Sequence, residues 1–257
     1  MVATAPHLRF LAVSALLFTG SATITVVWSA SMSGMGMPMP GGWTMSMMWM
    51  RMPGQTWVDA AASFLGMWVA MMAAMMLPSL VPVLLRYRLA IEAAAGDRLE
   101  RLTAAMGAGY FAVWTALGLA VFPLGIALAD VEMRHPALAR AVPVATGLTI
   151  MAAGALQFTR WKTYHLACCR ALPSRAEVPI DVVGACRHGV RLGLHCSYSS
   201  AGLTALLVAT GLMNLSVMAA VTTAATVERL APAGDRLAGA TGAVIIAAGA
   251  VLILRAA

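Results

Sequence analysis

Six long apolar stretches, separated by short polar or charged connections, organise the chain. They cover residues 10–29, 58–85, 103–129, 141–159, 197–225 and 237–254. Each is close to or above the roughly 20 apolar residues that an α-helix needs to cross the hydrocarbon core of a bilayer. The pattern predicts an all-α fold, a polytopic membrane bundle of about six transmembrane helices that forms a single domain over residues 1–257.

Composition agrees with this pattern. Of the 257 residues, 61% are hydrophobic and 11% are charged, and the mean hydropathy is +0.83. Soluble domains carry roughly a quarter charged residues, so a water-soluble globular domain is excluded. We therefore expect an integral membrane protein, surrounded by lipid.

The net charge of +7 predicts how the helices are oriented. With six helices, twelve of the 17 Lys and Arg residues fall on one side, and the other side holds Arg51, Arg134, Arg140, Arg229 and Arg236. Positive charge concentrates in cytoplasmic loops, so both termini and segment 160–196 are predicted in the cytoplasm and segment 30–57 outside. Anionic lipid headgroups fit the basic loops, and nucleic acid is set aside as a partner.

The first apolar stretch has an alternative interpretation. Arg9, the apolar run and the small residues 29–31 also fit a secretory signal peptide with a cleavage site. The run is long for a signal core, which favours a retained helix. The other five helices keep their predicted orientation in either case.

Methionine is the compositional excess of the chain, since 14 of the 20 methionines lie between Met32 and Met76. Segment 30–57 is rich in glycine and proline, which predicts an irregular outer loop. In an extended chain, Met-x-Met spacing turns alternate side chains to one face, and clustered thioethers select Cu(I). The alternative is a hydrophobic hairpin on the bilayer with methionine as an adaptable filler. The candidate ligands of this loop are Met35, Met37, Met39, Met45, Met47 and Met48.

A second group of methionines continues into the predicted second helix. Met67, Met71 and Met75 are spaced at i, i+4 and i+8, and Met72 and Met76 repeat the spacing. These thioethers form columns along one broad helix face. Such a methionine ladder, adjacent to the outer loop, would let a soft cation pass between weak sites. The alternative is lipid-facing or packed methionine that binds no metal.

Segment 160–196 concentrates the remaining metal-ligand chemistry, namely His165, Cys168, Cys169, Cys186, His188, His195 and Cys196. The cytoplasm is reducing, so we expect thiols or metal ligands rather than disulfides. His165 and Cys169 share a helical face, and His188 and Cys196 could close a four-ligand site. Mixed Cys and His ligands suit zinc or Cu(I), although the spacing is not that of a zinc finger. The alternative is a set of structural or adventitious thiols.

Several runs of the sequence resemble a known family. They are residues 67–79 (MWVAMMAAMMLPS), residues 109–115 (GYFAVWT), and the Met213-Asn214 pair with Glu228. In these runs the chain resembles a bacterial family of predicted metal-binding integral membrane proteins, otherwise a domain of unknown function. The resemblance covers most of the chain after about Ser31 and implies a metal-binding protein of the bacterial inner (plasma) membrane.

The family pattern also bears on the Cys and His residues. In that family the fourth helix ends in a lysine followed by two cysteines four residues apart, and the fifth begins with a Cys-x-x-Cys-Cys-Trp run. Lys162 and Cys169 match, His165 stands in place of the first cysteine, and Cys196 matches the start of the later run. Residues 199–201 (SSA) replace its Cys-Cys-Trp. Substitute ligands would have to come from Cys186, His188 and His195.

The sequence therefore predicts a copper-handling membrane protein. Outer methionines would capture Cu(I), the ladder would relay or transport it, and the Cys/His segment would receive it for a metallochaperone or a metalloenzyme partner. The alternatives are a copper-dependent membrane oxidoreductase or monooxygenase, or a subunit of one, and an assembly factor for another metalloenzyme. Catalytic copper usually prefers imidazole, and His7 and His135 alone lie outside the clustered segment, which makes an enzyme the weaker interpretation.

Overall fold

A computed structural model describes residues 5–32, 36–51, 54–171 and 178–256 of the chain. Most of these residues are helical, so the predicted all-α class is confirmed. The helices are α1 Ala5–Met32, α2 Trp57–Ala95, α3 Leu99–Arg134, α4 Pro136–Leu156, α5 Arg160–Arg170, α6 Val182–Ser199, α7 Ala201–Thr210, α8 Leu215–Leu230 and α9 Gly234–Ala256. Between α1 and α2 lie strands β1 Gly36–Met39 and β2 Trp43–Ser46 and the 3-10 turn Met47–Trp49.

Several of these helices are long and apolar enough to cross a membrane. By length and composition they are α1, α4, α9 and the continuous stretch Trp57–Arg134, which contains α2 and α3. The pair α6 and α7 also passes when taken together, although it is bent by 62°. Many apolar side chains of α1 are exposed, including Leu16 at 71%, as expected of a helix that faces lipid tails.

The predicted single helix over 197–225 is wrong. Helix α6 ends at Ser199, and α7 ends before Gly211. Gly211 has a φ of +99°, which residues with a side chain rarely adopt. Asn214 caps the start of the next helix, α8, since its side-chain Oδ1 accepts a hydrogen bond from the backbone N–H of Val217 at 3.1 Å. These helix ends cannot be recognised in a uniformly apolar run, because apolar composition indicates an apolar environment and not where the backbone leaves the helical conformation.

The two ends of the bundle can be named from their contacts. At the hairpin end, the indole Nε1 of Trp43 in β2 donates to the carbonyl of Ala139 at the start of α4 at 2.9 Å. At the α5 end, the ammonium of Lys162 in α5 contacts Glu228 near the end of α8 at 2.6 Å.

The break in 197–225 changes the direction of the last helix. Gly154 packs against Gly242, and Gly147 packs against Gly249, so α4 and α9 are antiparallel and α9 ends toward the hairpin end. The start of α1 lies at the other end of the bundle, where His7 faces Glu92 of α2. The first described residues of α1 and the last of α9 therefore lie at opposite ends. The prediction of both termini on one side does not fit this arrangement.

Glycines let α3 and α6 approach closely. A Cβ added at Gly109 of α3 would collide with the carbonyl of Cys186, and one added at Gly189 of α6 would collide with the carbonyl of Met106. Small residues at such contacts are typical of membrane helix pairs, whose packing depends on close backbone approach. This contact holds α6 against the long helix pair α2 and α3.

We expect Gly189→Val to destabilise the fold by about 3 kcal/mol or more, because the obstacle is backbone that cannot move aside as a side-chain tip can. The measurement is thermal unfolding of the detergent-purified protein. Gly66→Ala is the control, since Gly66 is exposed in α2 and its added Cβ meets no atom within 4 Å. That variant should be as stable as the unmodified protein or more so, by up to about 1 kcal/mol. Equal stability of the Gly189 variant would contradict the packing argument.

Candidate metal centre

The β-hairpin turns its methionines to one face. Strands β1 and β2 are antiparallel, with Met37 opposite Met45 and Met39 opposite Trp43. Opposite residues and residues two apart share a face of a sheet, so these four side chains lie together. Met45 is buried, and Met37 and Met39 are half-buried. Met35 lies outside the described residues.

A cavity of about 210 Å³ lies between the hairpin segment, α1 and α2. The methionines that line it are Met32, Met47, Met48, Met50 and Met67. Trp28 and Phe64 are also part of its wall. We call this the outer methionine cavity. It unites ligands predicted from the loop with the first member of the ladder.

Two of these methionines are not among the ligands predicted from the sequence. Met32 is the last residue of α1, and Met50 follows the 3-10 turn. Their role depends on where α1 packs against α2, and a single sequence carries no signal for that contact. The surplus of methionine around them was the only hint.

The five ladder methionines are buried inside the bundle, with exposed fractions of 1–3%. They are Met67, Met71, Met72, Met75 and Met76. The face that they occupy is fixed in part by Trp68, which is buried among them and donates through Nε1 to the carbonyl of Trp114 in α3 at 2.8 Å. The lipid-facing alternative is therefore excluded for these side chains. Thioethers line the face of α2 that points into the bundle, from the outer methionine cavity to Met76.

The ladder ends beside a cysteine. The thioether sulfur of Met76 lies 4.0 Å from the thiol sulfur of Cys196 in α6. Two metal–sulfur bonds of the length found at zinc thiolates, about 2.3 Å, hold their sulfur atoms about 4.0 Å apart when they meet at about 120°. The two sulfur atoms are thus spaced to share one soft ion.

Arg229 of α8 reaches the same point. Its guanidinium donates to Ser79 Oγ at 2.8 Å, Ser200 Oγ at 3.0 Å and Tyr110 Oη at 3.4 Å, and it also contacts the sulfur of Cys196. Tyr110 Oη lies 2.8 Å from that same sulfur. We call these five residues the Arg229 cluster. The thiol of Cys196 is therefore enclosed by a guanidinium, a phenol and the thioether of Met76.

Cys169 of α5 lies on the other side of a small cavity that Cys196 and Arg229 also line. Its sulfur is 3.8 Å from Ser199 Oγ. Burial raises the pKa of the Cys169 thiol to about 11, so the side chain is protonated at neutral pH. Metal binding at this thiol would release its proton.

A buried ion pair fixes α5 to α8. Lys162 Nζ donates to Glu228 Oε2 at 2.6 Å and to the carbonyl of Ser199 at 2.6 Å, and both charged side chains are at most 4% exposed. Burial lowers the pKa of Lys162, and the neighbouring Glu228 carboxylate opposes that shift. The pair places Cys169 near the end of the sulfur row.

The predicted four-ligand Cys and His site is not assembled. Cys196 ends the ladder, whereas His165 contacts His195, with 2.9 Å between their Nδ1 atoms. His188 is half-buried on an earlier turn of α6. Within the described residues, no group of three or more His, Cys, Asp or Glu side chains is placed to hold a metal ion. Sulfur from methionine therefore supplies most of the soft ligands that the structure brings together.

The fold and this row of sulfur atoms define a class, a protein of long apolar helices with methionine and cysteine side chains buried between them. The chain belongs to the PpoB2 copper chaperone family, whose model matches residues 65–252. The match includes the ladder, Cys169 and Cys196. A role in copper handling follows from this membership, and the predicted association with copper is confirmed at that level. No curated protein and no solved structure matches the chain.

We expect Lys162→Met to destabilise the protein by about 3–5 kcal/mol, because it leaves the Glu228 carboxylate buried without its counter-charge. The double variant Lys162→Met/Glu228→Leu should recover most of that loss in thermal unfolding. Asp130→Asn is the control, since the Asp130–Arg134 pair is exposed and should contribute less than about 1 kcal/mol. A double variant no more stable than the single one would contradict this account.

Proposed function

We propose that this protein takes up Cu(I) at the outer methionine cavity and relays it through the ladder of α2 to Cys196. The observation that supports this proposal most directly is the continuity of the sulfur row. Met67 lines the outer cavity, and the sulfur of Met76 lies 4.0 Å from that of Cys196. Copper is the cargo in this scheme.

Thioethers suit such a relay. They are uncharged and soft, so they prefer Cu(I) to hard cations and bind it without a change in protonation. Met67 and Met76 are nine residues apart, which is about 13 Å along an α-helix. The three methionines between them provide intermediate ligands, so an ion can exchange one sulfur for the next without entering water.

Charge supports an orientation for the relay. The hairpin end holds Arg51, Arg134, Arg140 and Arg255. The other described Lys and Arg residues belong to the opposite half of the bundle, at or beyond the α5 end. By the positive-inside rule, the α5 end faces the cytoplasm and the outer methionine cavity faces outward. The N-terminus is then cytoplasmic and the C-terminus external, in a bacterial inner membrane.

A partner completes the function. The row ends at the α5 end, where we expect a metallochaperone or a copper enzyme to collect the ion. Anionic lipid headgroups fit the exposed basic residue Arg160 at the start of α5, at the same level.

Removal of thioethers from the outer cavity tests capture. In Met47→Leu/Met48→Leu/Met67→Leu, we expect Cu(I) affinity to fall about tenfold or more, since volume is preserved but sulfur is lost. The measurement is competition with a chromophoric Cu(I) chelator in detergent. Met151→Leu is the matched control, because Met151 packs against Gly249 in the α4–α9 contact and should not change binding. Unchanged affinity in the triple variant would contradict capture at this cavity.

Interruption of the ladder tests the relay. In Met72→Leu/Met76→Leu, we expect Cu(I) to bind at the outer cavity but its uptake into sealed proteoliposomes to fall about tenfold or more. The measurement follows a Cu(I) chelator trapped inside the vesicles, with Met151→Leu as the control. Binding without uptake in the unmodified protein would contradict a relay across the membrane.

A further inference from the structure

Two histidines face each other beyond the end of the sulfur row. His165 of α5 and His195 of α6 direct their Nδ1 atoms at each other, 2.9 Å apart, and both side chains are half-exposed. One Nδ1 donates a hydrogen bond and the other accepts it, so both nitrogen atoms point at the same space between the two helices. The copper relay proposed above does not use this pair.

The pair is close to metal-binding geometry. Metal–imidazole bonds are about 2.0 Å long, so two nitrogen ligands of one ion stand about 3.3 Å apart at a tetrahedral angle and about 4.0 Å apart when collinear. An opening of about 0.4–1.1 Å from the observed separation, by rotation of two partly exposed rings, therefore makes room for an ion. Imidazole binds copper and zinc well.

The surroundings of the pair favour an ion of low charge. Three aromatic rings lie around His165, with ring centres 5.0 Å away for Trp161, 5.1 Å for Tyr164 and 4.9 Å for Tyr198. Neutral nitrogen ligands within an aromatic wall suit a monovalent soft ion that keeps few waters.

Each histidine is close in sequence to one of the two thiols that line the small cavity beside Arg229. His195 directly precedes Cys196, and His165 is one helical turn before Cys169. His195 is therefore at the same level of α6 as Cys196, although consecutive side chains of a helix point to different sides. His165 shares a helix face with Cys169, which lines the same small cavity as Cys196. The two imidazoles are also more exposed than either thiol, since Cys196 is fully buried and Cys169 is 5% exposed.

We propose that His165 and His195 form a two-nitrogen Cu(I) site that receives the ion from Cys196 and presents it to the partner at the α5 end. This inference rests on the proposed relay. In the transfer, the two Cu–S bonds to Met76 and Cys196 break and two Cu–N bonds form, while copper stays in the +1 state. The released Cys196 thiolate regains from the solvent the proton that it gave up on binding copper, and the donor imidazole of the pair moves its proton from Nδ1 to Nε2.

X-ray absorption of the full chain, loaded with Cu(I) under reducing conditions in detergent, tests the site. We expect sulfur and nitrogen scatterers in the unmodified protein, and loss of the nitrogen shell in His165→Gln/His195→Gln. His188→Gln is the matched control, since His188 is a half-buried histidine of the same helix outside the pair, and it should keep the nitrogen shell. Sulfur without nitrogen in the unmodified protein would overturn the inference and leave the relay standing. Absence of bound copper would contradict the relay itself.

A kinetic measurement separates the site from a structural role. The double histidine variant should bind Cu(I) at the outer cavity with unchanged affinity. Its release of Cu(I) to an added soluble chelator should be slower by about tenfold or more. Thermal unfolding of the same preparation reports whether the variant is folded, and single His195→Gln serves if the double variant is not. Release at the unmodified rate from a folded variant would overturn the proposal.

Discussion

A guanidinium in an otherwise apolar bundle fixes the inner half of this structure. Arg229 keeps its charge, so it must find acceptors wherever it lies, and the acceptors come from different elements: Ser79 of α2, Tyr110 of α3 and Cys196 of α6. Each hydrogen bond is directional, so together they set the rotation of three helices about their axes, which apolar packing alone would leave less defined. The rotation of α2 is what turns the methionine face inward.

The same cluster decides where the sulfur row ends. Ser79 accepts from Arg229 and donates to the carbonyl of Met76 at 3.0 Å, within a stretch of α2 that contains Pro78 and Pro82. Met76 is thereby held at the level of Cys196. The buried Lys162–Glu228 pair then sets α5 against the same level, with the two histidines beyond it.

Periodic features could be predicted from the sequence, and features that depend on contacts could not. The i, i+4 spacing placed Met67 to Met76 on one face, and the alternation of Met37 and Met39 predicted a shared face in an extended segment. The bend after Ser199 and the turn at Gly211 lie within one apolar run, so hydropathy merged three helices into one. Met32 and His195 gain their neighbours through the packing of α1 on α2 and of α5 on α6, which no local pattern encodes.

A relay needs a final thiol that binds copper without trapping it, and charge balance at Cys196 meets that need. A lone buried thiolate would hold Cu(I) far more tightly than neutral thioethers do, since it adds a full opposite charge. The Arg229 guanidinium in contact with the same sulfur opposes that gain, because it places a second positive charge beside the bound Cu(I) and the two cations repel each other. In the proposed relay, the cation that orients Cys196 also keeps its affinity low enough for ligand exchange with the neighbouring imidazoles. The inner thiol is then a transfer point and not a store.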